Sequence, residues 1–150
     1  MQKNNKEKIK LYATAIYQNA MVGVQSINDI MDKITDINLK HEVQREQALF
    51  KDVSAELEEF ATNKGFELKE NNLFEKTRLW ASINMSTMFN QTTRHIAELM
   101  LVGTVMGLIT CYKDKYDHKD VSEELDGILD RLEKIEDDNY LKLKTFLKNL

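Results

Sequence analysis

Four residues have the types and placement to hold a metal ion: Glu46, His95, Glu98 and Glu136. Glu46 falls on the seam formed by Val43, Phe50 and Val53 in a segment with helical periodicity. Glu136 comes four residues after Leu132 and seven before Leu143, at the edge of a core face, with Asn139 one turn further on. His95 and Glu98, with Asn84 and Gln91, line one border of an apolar arc containing Met85, Met88, Phe89, Ile96, Leu99, Met100 and Met106. Carboxylates and imidazole on facing helices are ligands for iron or manganese. A di-metal centre in a bundle takes four carboxylates and two Glu-x-x-His pairs. Here His95-Ile96-Ala97-Glu98 runs in the reverse order, Asn139 stands where the Glu136 run needs histidine, and the first helix offers only Asn19. The expectation is a hydrogen-bonded polar network on the core border, with an iron or manganese site as the alternative.

No second chemistry competes with that one. Cys111 lies in an apolar helical stretch with no partner and reads as a packed thiol. His41 and His118 fall near helix starts and read as surface residues. No serine sits in an elbow-like turn. Gly103 and Gly107 have Gly-x-x-x-Gly spacing inside a helix. That spacing suits close helix approach; a phosphate loop needs a strand before it. The chain is therefore expected not to be an enzyme.

The elements that must position these residues are four helices. Ile9, Tyr12, Ile16, Ala20, Gly23, Ile27, Ile30, Ile34 and Ile37 recur in steps of three and four, predicting a first helix from about Lys6 to Ile34. Leu39, Val43, Phe50, Val53, Leu57 and Phe60 mark a second, capped by Asp36 or Asn38 and stopped at Gly65, with Phe66 packing back. A third reaches about Lys113 and starts either at Asn72 or near Ser82. A fourth starts at Asp120, with Glu123 at capping-box spacing, and carries Val121, Leu125, Ile128, Leu132, Ile135 and Phe146. Short turns make two antiparallel hairpins, and these bury their faces as an all-α four-helix bundle. A start at Asn72 forces up-down-up-down order, and a start near Ser82 leaves a connector long enough to cross the bundle lengthwise.

Composition agrees with this reading. The 150 residues make one domain, 1–150, with no proline and only five glycines, which favours long helices over short strands. Charged residues at 31% and apolar ones at 42% exclude a disordered chain. The net charge of −4, with signs interspersed, gives no electrostatic reason to hold nucleic acid. A single cysteine excludes an intramolecular disulfide and suits a reducing compartment. The longest uncharged apolar stretch, Leu99 to Tyr112, falls short of the ~20 residues a membrane span takes. The expected setting is cytoplasmic, without a membrane.

The third helix is apolar nearly all round. Ile83, Leu101 and Leu108 lie opposite its core arc and call for a second cover. A homo-oligomer formed through that face is expected. Finally, Thr93-Arg94-His95-Ile96-Ala97-Glu98-Leu99-Met100, followed by Gly103-Thr104-Val105-Met106-Gly107, resembles small bacterial proteins with a ferritin-like four-helix bundle, as does Asn139-Tyr140-Leu141-Lys142-Leu143-Lys144-Thr145. The resemblance implies the crossover topology and supplies no function. The expectation is a self-associating helical bundle with a structural or interaction role. The alternative is a degenerate ferritin-like protein that holds iron or manganese, in iron handling or oxidative stress.

Overall fold

Short polar residues and one glycine set the helix ends. The computed structural model describes residues 2–68 and 92–150. Helix α1 spans Gln2–Ile30 and continues into a 3-10 turn at Met31–Lys33. Helix α2 spans Ile37–Lys64, and the Asp36 carboxylate accepts a hydrogen bond from the Leu39 amide at 2.9 Å, which makes Asp36 the cap of the two that the sequence offers. Helix α3 spans Thr93–Asp117, capped by Thr92, and α4 spans Glu123–Lys148. The α4 cap is Ser122, which accepts from the Leu125 amide at 3.2 Å, and not Asp120. Asp120 lies in the turn instead, at φ 60°, a left-handed conformation that aspartate tolerates. Both candidate starts for the third helix, Asn72 and Ser82, lie outside the described residues, as do Ile83, Asn84, Met85, Met88, Phe89 and Gln91.

Gly65 ends α2 at φ 83°, where its own N–H returns to the last turn. Phe66 then packs edge-on against Phe60, with ring centres 6.3 Å apart. A Cβ at Gly65 would meet nothing within 4 Å, so the cost of adding one is purely conformational. Gly65→Ala is expected to lower stability by about 1 kcal/mol, read as a drop in the urea midpoint at unchanged m-value.

The four helices close on one apolar core. Tyr12, Ile16, Leu39, Leu57, Ile96, Leu125, Leu129 and Leu132 are fully buried within it. Each large side chain buried in this way contributes about 1.5–3 kcal/mol. At one end Tyr12 stacks on His118, ring centres 4.8 Å apart, and donates to Asp126 at 2.6 Å. His118 is therefore packed, and not the free surface residue that the sequence suggests.

Side-chain contacts give the helix directions. Gln47 reaches Val24 and Asn28, and Tyr17 reaches Glu58, so α1 and α2 run antiparallel. Lys115 pairs with Asp130 and Glu133, so α3 and α4 do too. Asn19 reaches Gly107 and Cys111 while Tyr12 reaches His118, which sets α3 antiparallel to α1. Arg45 reaches Asn139 and Arg131 reaches Glu56, which sets α4 antiparallel to α2. It follows that α2 and α3 run parallel, and the end of α2 and the start of α3 lie at opposite ends of the bundle.

The face of α3 differs from the sequence reading. Its buried seam is Ile96, Met100, Thr104, Cys111 and Asp114, rotated by roughly 60° from the expected arc at 3.6 residues per turn. Leu99 and Met106 are half-buried on one flank. Leu101 and Leu108, expected on the outer face, are half-buried on the other, with Leu101 packed against the core. The outer face is Val102, Val105, Ile109, Tyr112 and Tyr116 instead. Judged by length and composition alone, α3 is apolar enough to cross a membrane; in the bundle it forms one of the four walls.

Candidate functional sites: a carboxyl-lined cavity and an exposed helix face

The predicted site residues divide into two pairs. Glu46 and Glu136 point inward, with exposures of only 2% and 3%. Glu98 stands on the outside of α3, ion-paired to Arg94 at 2.8 Å, and His95 is half-buried in the first turn of that helix. The periodicity of α2 and α4 placed its two glutamates correctly, whereas the rotation of α3 turns Glu98 away from them.

Glu46 and Glu136 share a cavity of about 320 Å³ between the helices. α1 and α3 supply most of its wall, through Val22, Ile27, Ile30, Met100 and Met106 among others. α2 contributes Glu46 and Phe50, and α4 contributes Glu136 alone. Two glycines make room. A Cβ at Gly23 would come within 2.7 Å of the Phe50 ring, so glycine there lets the ring lie against α1. A Cβ at Gly107 would overlap Oε2 of Glu136. The carboxyl therefore occupies the space that a side chain at 107 would take. Of the pair read as a close-approach motif, Gly107 serves a side chain rather than a helix backbone, and Gly103 lines the cavity. Asn19 joins this corner, donating to the Gly107 carbonyl at 3.2 Å and to Cys111 Sγ at 3.5 Å.

Behind the cavity runs a polar network. Arg45 donates to both oxygens of Glu42, at 3.0 and 2.6 Å, and to Asn139 Oδ1 at 3.0 Å. Glu46 hydrogen-bonds to Glu42 as well. Burial works to raise the Glu42 pKa, but the bonds from Arg45 and Glu46 outweigh it and hold Glu42 below its ordinary value. The opposite holds for Glu46: burial, the bond to Glu42 and the charge on Glu42 push it far above the usual carboxylate range. Burial also pushes Glu136 up to about 8, with the Asn139 amide working against it. Burial and the neighbouring Glu42 thus favour the protonated form of Glu46, while Arg45 favours the ionised form of Glu42. Burial likewise pushes the Cys111 thiol up to about 12, in keeping with a packed and unreactive cysteine.

Among the described residues, two side chains of this wall carry a polar atom with no hydrogen-bond partner, Glu46 at Oε2 and Ser26 at Oγ. The neighbouring hydroxyls differ: Thr104 and Thr110 donate back to Met100 and Met106 of their own helix. The sequence reading missed Ser26, Arg45 and Glu42. Ser26 directly precedes the core residue Ile27, and the other two flank the α2 seam where solvent-facing charges are ordinary.

As a metal site the arrangement is short of ligands. Among the described residues no three of His, Cys, Asp or Glu are placed to hold one ion. Glu46 and Glu136 are two carboxylates, and the di-metal centres of ferritin-like bundles take four and two histidines. The described residues alone do not supply that set.

The second feature is the outer face of α3. Val102, Val105, Ile109, Tyr112 and Tyr116 follow one another in steps of three and four, and are 47%, 38%, 60%, 53% and 81% exposed. Five large apolar side chains on one stripe are what a helix presents to a partner helix. Comparison of the chain with protein-family models, with curated proteins and with solved structures finds no match.

Proposed function

We propose that this protein is a non-enzymatic, self-associating helical bundle whose copies pair through the outer face of α3. The observation that carries this reading is the exposed 3-4-3-4 stripe from Val102 to Tyr116. The stripe is self-complementary. In an antiparallel pairing centred beside Val105, Val102 of one copy lies level with Ile109 of the other. Glu98 then lies level with Lys113, an opposite charge. Pairing by a two-fold axis closes on itself and leaves no face open for further growth. The surface used is the one turned away from the seam, and it replaces the expected face of Ile83, Leu101 and Leu108.

The helix directions support a ferritin-like bundle: two antiparallel hairpins with α2 and α3 parallel is the order that a crossover connection produces. A free, buried cysteine suits a cytoplasmic setting. A metal-holding role is the weaker reading, since His95 and Glu98 stand apart from Glu46 and Glu136.

Light scattering on the purified protein tests the proposal. At tens of micromolar the mass should be twice the 17.5 kDa of one chain. Ile109→Glu should return it to a single chain with helical circular dichroism unchanged, because Ile109 takes no part in the core. A wild-type monomer at that concentration overturns the reading.

A further inference from the structure

The cavity between the helices offers more hydrogen-bonding capacity than the protein uses. Glu46, only 2% exposed, lines the cavity, and its Oε2 has no partner. Ser26 Oγ, also buried and unpartnered, belongs to the same wall. The two stand at one level of the bundle, because Gln47, next to Glu46, bonds to Val24 and Asn28 on either side of Ser26. Glu136 supplies a third polar group. Buried polar atoms are nearly always satisfied, so two side chains with orphaned atoms in the wall of one cavity mark a place for a ligand. The volume, about 320 Å³, is at the small end of the range for ligand pockets.

The chemistry of the lining selects the ligand. Among the described residues its only ionisable side chains are Glu46 and Glu136, and no described lysine, arginine or histidine lines it. An anion would meet carboxyls and no donor of positive charge. A ligand without donors would leave Oε2 as it is. An ammonium group carries three N–H donors, one each for Glu46, Ser26 and Glu136, and its charge favours the ionised form of carboxyls that burial otherwise keeps protonated. The remaining wall of Ile27, Ile30, Phe50 and Met100 is hydrocarbon and thioether, suited to an alkyl tail.

We propose that this cavity binds a small alkyl amine, with the ammonium held by Glu46, Ser26 and Glu136 and the tail laid along Ile27, Ile30, Phe50 and Met100. The proposal is independent of pairing through α3, which uses a different face of that helix.

The test is calorimetric titration at neutral pH with n-hexylamine, hexanol, hexanoate and manganese chloride, each alone, on the wild-type full chain and on Glu46→Gln, Glu136→Gln and Ser26→Ala. Hexylamine should bind at one saturable site per chain, at least tenfold more tightly than hexanol or hexanoate. Each glutamine variant should lose at least tenfold while keeping its helical signal, and Ser26→Ala, a milder change, should lose several-fold. Hexanol binding as well as hexylamine reduces the cavity to an apolar hole and overturns the proposal. So does hexylamine binding that neither glutamine variant weakens, or no hexylamine binding at all. Manganese bound alone at one equivalent, and lost in Glu46→Gln, assigns the carboxyls to a metal and overturns it as well.

Discussion

Raising the pH from 5 to 9 is expected to destabilise the bundle, and replacing Glu46 and Glu136 by glutamine should remove most of that loss. Both carboxyls hold their protons more tightly in the folded chain than the ordinary value of 4.5, Glu136 to about 8 and Glu46 further still. Between the unfolded and folded values the native state binds more protons than the unfolded state. Stability must then fall as pH rises, by about 1.4 kcal/mol per pH unit for each such group. The stabilising contribution is complete below the unfolded value and is lost as pH climbs through the folded one. For Glu136 that window closes near pH 8; for Glu46 it runs on beyond. Urea midpoints measured at each pH unit give the slope directly. Single glutamine variants should each flatten part of it, and the double variant should be the most stable form at pH 8–9. Glutamine keeps the shape and retains a donor for Glu42, so the comparison isolates the proton. A double variant whose midpoints fall in parallel with the wild type would show that the two acids are not the cause.

Gly107→Ala should weaken the protein, against the usual trend for glycine in a helix. In a helix interior, alanine is ordinarily better than glycine by about 1 kcal/mol. Here the new Cβ would overlap Glu136 Oε2 and come within 2.8 Å of its carboxyl carbon. Glu136 is the end of a flexible side chain but a buried one, and its carboxyl must leave the place it fills beside α3. Overpacking of this kind costs about 1–3 kcal/mol. The expected net result is a loss of about 1–2 kcal/mol, and the cause can be isolated by a cycle. In a Glu136→Ala background the clash is gone, and Gly107→Ala should become neutral or stabilising. Equal effects in both backgrounds would mean that the carboxyl is not what excludes a side chain at 107.

The sequence was readable where the information is local. Asp36 and Gly65 announce the ends of α2 because a cap needs only its own neighbours. Glu46 and Glu136 were found because α2 and α4 separate polar and apolar faces sharply, so one glutamate on the wrong side stands out. α3 gave no such contrast. Its apolar residues go nearly all round, and a wheel drawn on hydrophobicity alone has no preferred phase. The real seam includes Thr104 and Asp114, polar residues that hydrophobicity alone does not mark, while Val105 and Ile109 are left on the surface. What chose the phase was tertiary: Glu136 needed a glycine, and Asn19 needed a carbonyl and a sulfur. The outward turn of Glu98 follows from the same choice. Arg45 was invisible for another reason, since its guanidinium works across two helices and nothing in its own segment reports that.

The parallel course of α2 and α3 also bears on the order in which the chain folds. Each hairpin joins helices that are neighbours in sequence, so each can form early from short-range contacts. Glu46 belongs to the first hairpin and Glu136 to the second, and the cavity exists only once the two have docked. Docking is the step with the greatest sequence separation, and the step that takes both carboxyls out of water. Amide exchange should therefore separate two cooperative units along the α1–α3 seam, with the seam opening at lower free energy than either hairpin. A molecule seated in the cavity would act as a clasp between the two halves, slowing that opening without touching the exchange of the outer helix ends.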